Sequence, residues 1–316
     1  MHPATRLLLA ASLAGHVATS AAGPFQLTRA GDVVEVRLRG RPVLAYVGGA
    51  GEPPPGVPEA YRRGGYLHPL FTPAGRVVTG DYPANHLHHH GVWTAWTKTE
   101  FDGRAPDFWN MGQKQGRVEF VELLEARTAE AFAEIRARHR FVDLTAPTPV
   151  TVLEETWVIR VSATPPGAPH VFDLGLEQRN VGGHPLKLPK YHYGGLGFRG
   201  PDAWDGAANA QFLTSEGITN RIAGNETRGR WCWIGGAAGG GLAGVAILGH
   251  PDNFRTPEPM RLHPSEPFFC WAPQQAGDFE IPAGGTHRAR YRLIVADGPA
   301  EAAELSRRWS EYAAGK

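Results

Sequence analysis

The feature that most constrains this chain is a period of two in its apolar residues. Apolar and polar side chains alternate through 32–39, 131–142, 150–161, 171–179 and 288–295. Successive side chains on a strand point to opposite faces, so such alternation marks strands with one face buried and one in water. Antiparallel sheets accommodate that asymmetry, whereas parallel sheets are buried on both faces. The 40 glycines and 27 prolines follow no strict repeat and punctuate short apolar runs, as turns between many strands require. The expected fold class is all-β: a large antiparallel β-sandwich forming a single domain over residues 23–316. One segment departs from the pattern. After Gly298-Pro299, Leu305, Trp309 and Tyr312 recur at helical spacing, so a short C-terminal helix over 300–313 should lay that stripe on the sandwich. The glycine-dense run 235–241 lies between two apolar runs and reads as a hairpin turn. It lacks the Lys-Ser/Thr of a phosphate loop.

The first 22 residues have the pattern of a signal peptide: Arg6, an apolar stretch at 7–18, then small residues at 19–22. The expected location is periplasmic or secreted. No later apolar stretch reaches the ~18 residues of a membrane-spanning helix. The 32 basic and 31 acidic residues are well mixed, which leaves no basic block for nucleic acid. The expected partner is a small-molecule or oligosaccharide substrate. Cys232 and Cys270 each sit between aromatic residues of a strand-like run. Export permits a disulfide, but free Cys is commonly buried, and two core thiols are the preferred reading.

Chemistry concentrates in the segment 81–110. Four of the 14 histidines fall at 86, 88, 89 and 90, followed by Trp93, Trp96, Asp107, Trp109 and Asn110. If this stretch is extended, His86, His88 and His90 share one face and His89 points away. A His-x-His pair on a strand can place two imidazoles on one metal ion, with a third ligand from elsewhere. His88, His90 and His192 are the candidate set for a divalent metal, which the sequence permits without requiring. The metal-free alternative uses His88, His90 and His192 as acid–base groups, with Asp107 orienting a histidine or acting as a base. Trp93, Trp96 and Trp109 would form a stacking wall for a sugar ring. His68, His89, Tyr191, Arg199, His250 and Asn253 are the further candidates for binding substrate, because they sit in loop-like or glycine-rich contexts. No Gly-x-Ser-x-Gly elbow is present. A two-carboxylate mechanism would draw on Glu100, Asp102, Asp107, Glu177, Asp252 or Glu266, whose separations decide it.

The order of motifs resembles a known family. His-Pro-Leu-Phe-Thr-Pro-x-Gly from His68 is followed by His-x-His-His-His-Gly-Val-Trp from His86 and Asp-Phe-Trp from Asp107. Tyr-Gly-Gly-Leu-Gly from Tyr193 and His-Pro-Asp-Asn from His250 complete it. Together they look like the bacterial family labelled methane oxygenase PmoA-like. The resemblance implies an exported sandwich similar to galactose mutarotase-like supersandwiches, in a family associated with sugar utilisation. With no apolar span, the chain cannot inherit from that label the activity of a membrane-embedded oxygenase subunit. The expected function is an exported carbohydrate-active enzyme, a hydrolase, lyase or epimerase. Two alternatives are a non-catalytic carbohydrate-binding protein and a metal-dependent oxidase.

Overall fold

The computed structural model describes residues 23–315, so the expected signal peptide lies outside the described residues. Two large sheets dominate. The first has nine strands, in the order Phe25–Ala30, Val33–Leu38, Arg41–Val47, Tyr66–Leu70, Val92–Ala95, Gly195–Arg199, Phe268–Trp271, Glu258–Leu262 and Arg228–Gly229. The second has eight: Ala210–Thr214, Trp231–Ala238, Gly241–Gly249, Thr286–Asp297, His170–Asn180, Val150–Ser162, Phe132–Asp143 and Gly116–Thr128. Neighbouring strands pair antiparallel in both. A three-stranded sheet of Phe279–Ile281, Leu186–Leu188 and Glu100–Phe101 packs over Phe141, Val152 and Leu153 of the second sheet.

All five alternating runs form strands, because each buries one face against the other sheet. Val34, Val36 and Leu38 meet Trp157, Ile159 and Val161 in one continuous core with Phe198, Phe269, Trp271 and Leu293. A large apolar side chain fully withdrawn from water contributes about 1.5–3 kcal/mol of transfer free energy. The hairpin forms at Gly239 and Gly240, both at positive φ. The helix spans Ala302–Ala313 and sets Leu305, Trp309 and Tyr312 against Trp231, Trp233 and Leu248 of the second sheet. Both cysteines are free and buried, on the faces opposite their aromatic neighbours.

Two of the buried carboxyls, Glu155 and Glu258, matter for stability. Glu155 occupies an inward position of its strand and is wholly buried. Its Oε1 accepts from Thr94 Oγ1 at 2.7 Å and Gln178 Nε2 at 2.8 Å, and its Oε2 lies 3.1 Å from His139 Nδ1. Thr94 belongs to the first sheet and Glu155 and Gln178 to the second, so this polar clasp joins the sheets. Glu258 is the other. Asn253 Nδ2 donates to it at 2.8 Å and the Tyr291 hydroxyl at 3.0 Å. Burial pushes the Glu258 carboxyl up to about 7, against the pull of those two donors.

That shift has a sign. Between pH 4.5 and about 7 the folded chain keeps a proton that the unfolded chain has released. Its stabilising contribution is therefore complete at acid pH and is lost as pH rises through that window. Glu258→Gln should remove this loss, on the order of 3 kcal/mol at pH 8, leaving the variant better folded than wild type in alkaline buffer. Melting temperature against pH checks it: parallel profiles for the two proteins would show the carboxyl contributes nothing.

Candidate active site

The central strands of the first sheet carry a pocket on their outer face. Trp93, Gly197, Phe268 and Cys270 point outward there, opposite the core-facing Val92, Leu196, Phe198 and Phe269. Trp109 lies over Trp93, with ring centroids 5.0 Å apart. Gly197 makes room for both: a Cβ there would sit 2.9 Å from each indole. Gly197→Ala should cost about 1–3 kcal/mol through overpacking and loosen the pocket floor. Denaturant titration checks this, and an unchanged midpoint would mean the indoles shift freely.

Loop 81–90 brings the histidines over this floor, and it is not extended. His86 N donates to Pro83 O and His89 N to His86 O, each at 2.9 Å, while Asp81 bridges His90. Two successive tight turns replace the strand expected here. They send His86, His88 and His89 into a pocket of about 200 Å³, completed by Trp109, Asn110, His192, Tyr193, Arg261, His263 and Phe268. His90 turns away. It is fully buried, its Nδ1 is 2.6 Å from Asp81 Oδ1, and its ring packs beside Tyr66 and Tyr82. Gly91 closes the loop at a φ of +32°, where a Cβ would lie 1.9 Å from Leu67 O.

The expected set of His88, His90 and His192 is thus not brought together, as catalytic groups or as metal ligands. His88 and His192 line the pocket; His90 does not. Among the described residues no three His, Cys, Asp or Glu side chains gather closely enough to hold a metal ion.

Other expectations are corrected by burial. Asp107 bonds no histidine among the described residues. Its carboxylate accepts from the backbone N–H groups of Trp109 and Asn110, at 2.8 Å each, and from Asn110 Nδ2 at 2.7 Å. It caps a turn and thereby aims Asn110, whose Nδ2 also donates to Tyr193 Oη at 3.1 Å. Of the three tryptophans only Trp109 lines the pocket; Trp93 supports it from below, and Trp96 faces Gln178, Phe279 and His287 elsewhere. His68 bonds Thr79 Oγ1 at 2.9 Å outside the pocket. Tyr191 packs on His192 and Tyr193 without lining it. His250 and Asn253 lie in the turn that follows Gly241–Gly249 of the second sheet: Asn253 bonds Glu258 and Arg290, and His250 packs on Tyr312 of the helix. Arg199 does bind carboxylates, but they are the protein's own. Fully buried, it donates to Glu266 and Asp205 at 2.8 Å each and to Asn85 at 3.2 Å.

Three residues outside the expected site set, His86, His263 and Arg261, matter most. His86 Nδ1 faces Glu266 Oε1 at 3.0 Å. Burial pushes the Glu266 carboxyl up, but His86, His263 and Arg199 together outweigh it and hold it below the usual carboxylate range. The Glu266 carboxylate orients the His86 ring, with Nδ1 toward it and Nε2 toward the pocket. The His263 tautomer is fixed by the backbone. Its Nδ1 accepts the backbone N–H of Glu266 at 3.1 Å, so Nε2 carries the proton. The two ring centroids are 6.0 Å apart. His86 was visible in the cluster; His263 and Arg261 lie too far along the chain for any motif to connect them.

Burial favours the uncharged form of His88, His89, His192 and His263. It pushes His88 down to about 3, helped by His86 and His90, and His263 down to about 4. His89 is driven well below its ordinary value, stacked between His86 and Phe268, and His192 is lowered as well. At neutral pH these are imidazoles, each able to accept one hydrogen bond and donate one. Such a pocket can hold hydroxyl groups, remove a proton and donate to a developing negative charge.

The chain belongs to a family of unknown function, DUF6807, whose match spans residues 33–310. No curated protein matches it. Among solved structures it is similar to a protein from Klebsiella pneumoniae provisionally named an aldose 1-epimerase, at 11% identity and a TM-score of 0.44, covering 92% of this chain and 88% of the other. It is also similar to a galactose mutarotase related enzyme from Lactobacillus acidophilus, at 8% identity and a TM-score of 0.27, covering 86% and 97%. Likeness at these scores carries no argument about chemistry, and the all-β architecture rests on the sheets themselves.

Proposed function

We propose that this member of DUF6807 is an exported carbohydrate-active enzyme that transforms one saccharide unit by acid–base chemistry in the histidine pocket. Export rests on the signal-like residues 1–22. The observation that carries the reading is a pair of imidazoles with ring centroids 6.0 Å apart, His86 with its Nδ1 turned to the Glu266 carboxylate and His263 with its Nδ1 accepting a backbone N–H and its Nε2 left as donor. One takes a proton from the substrate while the other donates to the oxygen on which charge develops. Trp109 and Phe268 offer apolar faces, and Asn110, Tyr193, His88 and His192 offer partners for ring hydroxyls. The volume suits a single sugar ring or the terminal unit of a chain.

The test is a panel of mono- and oligosaccharides followed by proton NMR with wild type and with His263→Ala. Conversion by wild type that His263→Ala loses while still binding supports the enzyme. Binding without conversion across the panel makes the protein a carbohydrate-binding module instead. No binding at all overturns the carbohydrate reading.

A further inference from the structure

The charge of the pocket is lopsided. Ten residues line it, none is Asp or Glu, and one is an arginine. Arg261 lies on strand Glu258–Leu262 between the core residues Met260 and Leu262, so alternation delivers its side chain to the pocket face. Its guanidinium donates to the Asn225 side-chain oxygen at 3.0 Å, a neutral partner, and it forms no ion pair with any described residue. The nearby carboxylates are otherwise engaged or outside. Glu266 and Asp205 are held by the buried Arg199, and Glu226 is exposed to solvent. A neutral ligand would leave a guanidinium with unused donors in a lining that holds no carboxylate. An anionic oxygen pair matches its fork.

We propose that the saccharide accepted by this pocket bears an anionic substituent, a carboxylate as in a uronic acid or a phosphate ester, and that Arg261 selects for it. This rests on the carbohydrate reading above and sharpens it. The remaining liners fit the same ligand: Tyr193, Asn110 and the imidazoles serve its hydroxyls, and no acidic side chain in the lining repels its charge.

Isothermal titration calorimetry of the purified protein tests it, with glucuronate and galacturonate, their neutral parents glucose and galactose, glucose 6-phosphate, and inorganic phosphate. The anionic sugars are expected to bind about 10- to 100-fold tighter than the neutral ones. Arg261→Gln should erase that margin and Arg261→Lys keep part of it, with melting curves confirming that both variants fold. A larger margin for the uronates identifies a carboxylate, and a larger margin for the 6-phosphate identifies a phosphate ester. Neutral sugars binding as tightly as their acids overturn the anionic assignment and leave the carbohydrate reading intact. Inorganic phosphate binding through Arg261 while every sugar fails keeps the anion site and overturns the carbohydrate reading. Silence from all six ligands overturns both.

Discussion

His86→Gln is expected to lower kcat/KM by about 10²- to 10⁴-fold on whichever saccharide the wild type converts, the range for loss of a positioned proton-transfer group. The chain should still fold, because His86 is partly exposed and glutamine retains a polar end for Glu266. Glu266 touches the imidazole and not the pocket, so it is a positioning residue. Glu266→Gln should lower kcat by about 10- to 100-fold with little change in KM, as loss of an orienting carboxylate does. The two act as one unit, so the double variant should be hardly worse than His86→Gln alone. Steady-state kinetics on the three proteins decide the matter. Losses that simply multiply would place His86 and Glu266 in separate roles, and a kcat within about twofold of wild type for His86→Gln would remove it from the chemistry.

Glu155→Ala is expected to cost about 3–5 kcal/mol of stability, the penalty for removing one partner from a buried charged network. Burial pushes this carboxylate up, yet His139, Thr94 and Gln178 together outweigh that effect and leave it below its ordinary range. His139 in turn lies with Nε2 2.7 Å from Tyr46 Oη, and Arg63 is buried nearby with one bond, to Thr94 O at 2.6 Å. Burial pushes the Arg63 guanidinium down to about 10, with Glu155 opposing. Without Glu155 that cation has no counter-charge, and Thr94 and Gln178 each lose an acceptor. For a chain of this size the melting temperature should fall on the order of 10 °C. Glu155→Gln, which keeps both neutral hydrogen bonds and forfeits the charge, should lose less. If Glu155→Ala melts within about 2 °C of wild type, the clasp is not what joins the sheets.

Local pattern settled a great deal. Strand alternation is a local property, so the long alternating strands, the hairpin, the C-terminal helix and the placing of each cysteine on the face opposite its aromatic neighbours are legible in the residue order. The region of the site is legible too, because four histidines in five residues are visible without knowing where they point. Their roles are not. Reading 85–91 as extended puts His90 beside His88, whereas hydrogen bonds from His86 and His89 to carbonyls three residues back fold the loop and separate them. Arg199 and Trp96 look like binding residues in sequence, and burial makes one an internal counter-ion and the other a core indole.

What the sequence by itself determined is therefore the class of fold and the neighbourhood of the chemistry, since both follow from periodicity and composition within short windows. The tertiary structure alone decided which imidazoles share a pocket, what each Nδ1 faces and which charges remain unpaired. Those depend on His263, Glu266 and Arg261, roughly 180 residues downstream of His86, reaching the same face of one sheet through strand order. Antiparallel pairing of Gly195–Arg199 between Val92–Ala95 and Phe268–Trp271 sets that order, and no local window of sequence contains it.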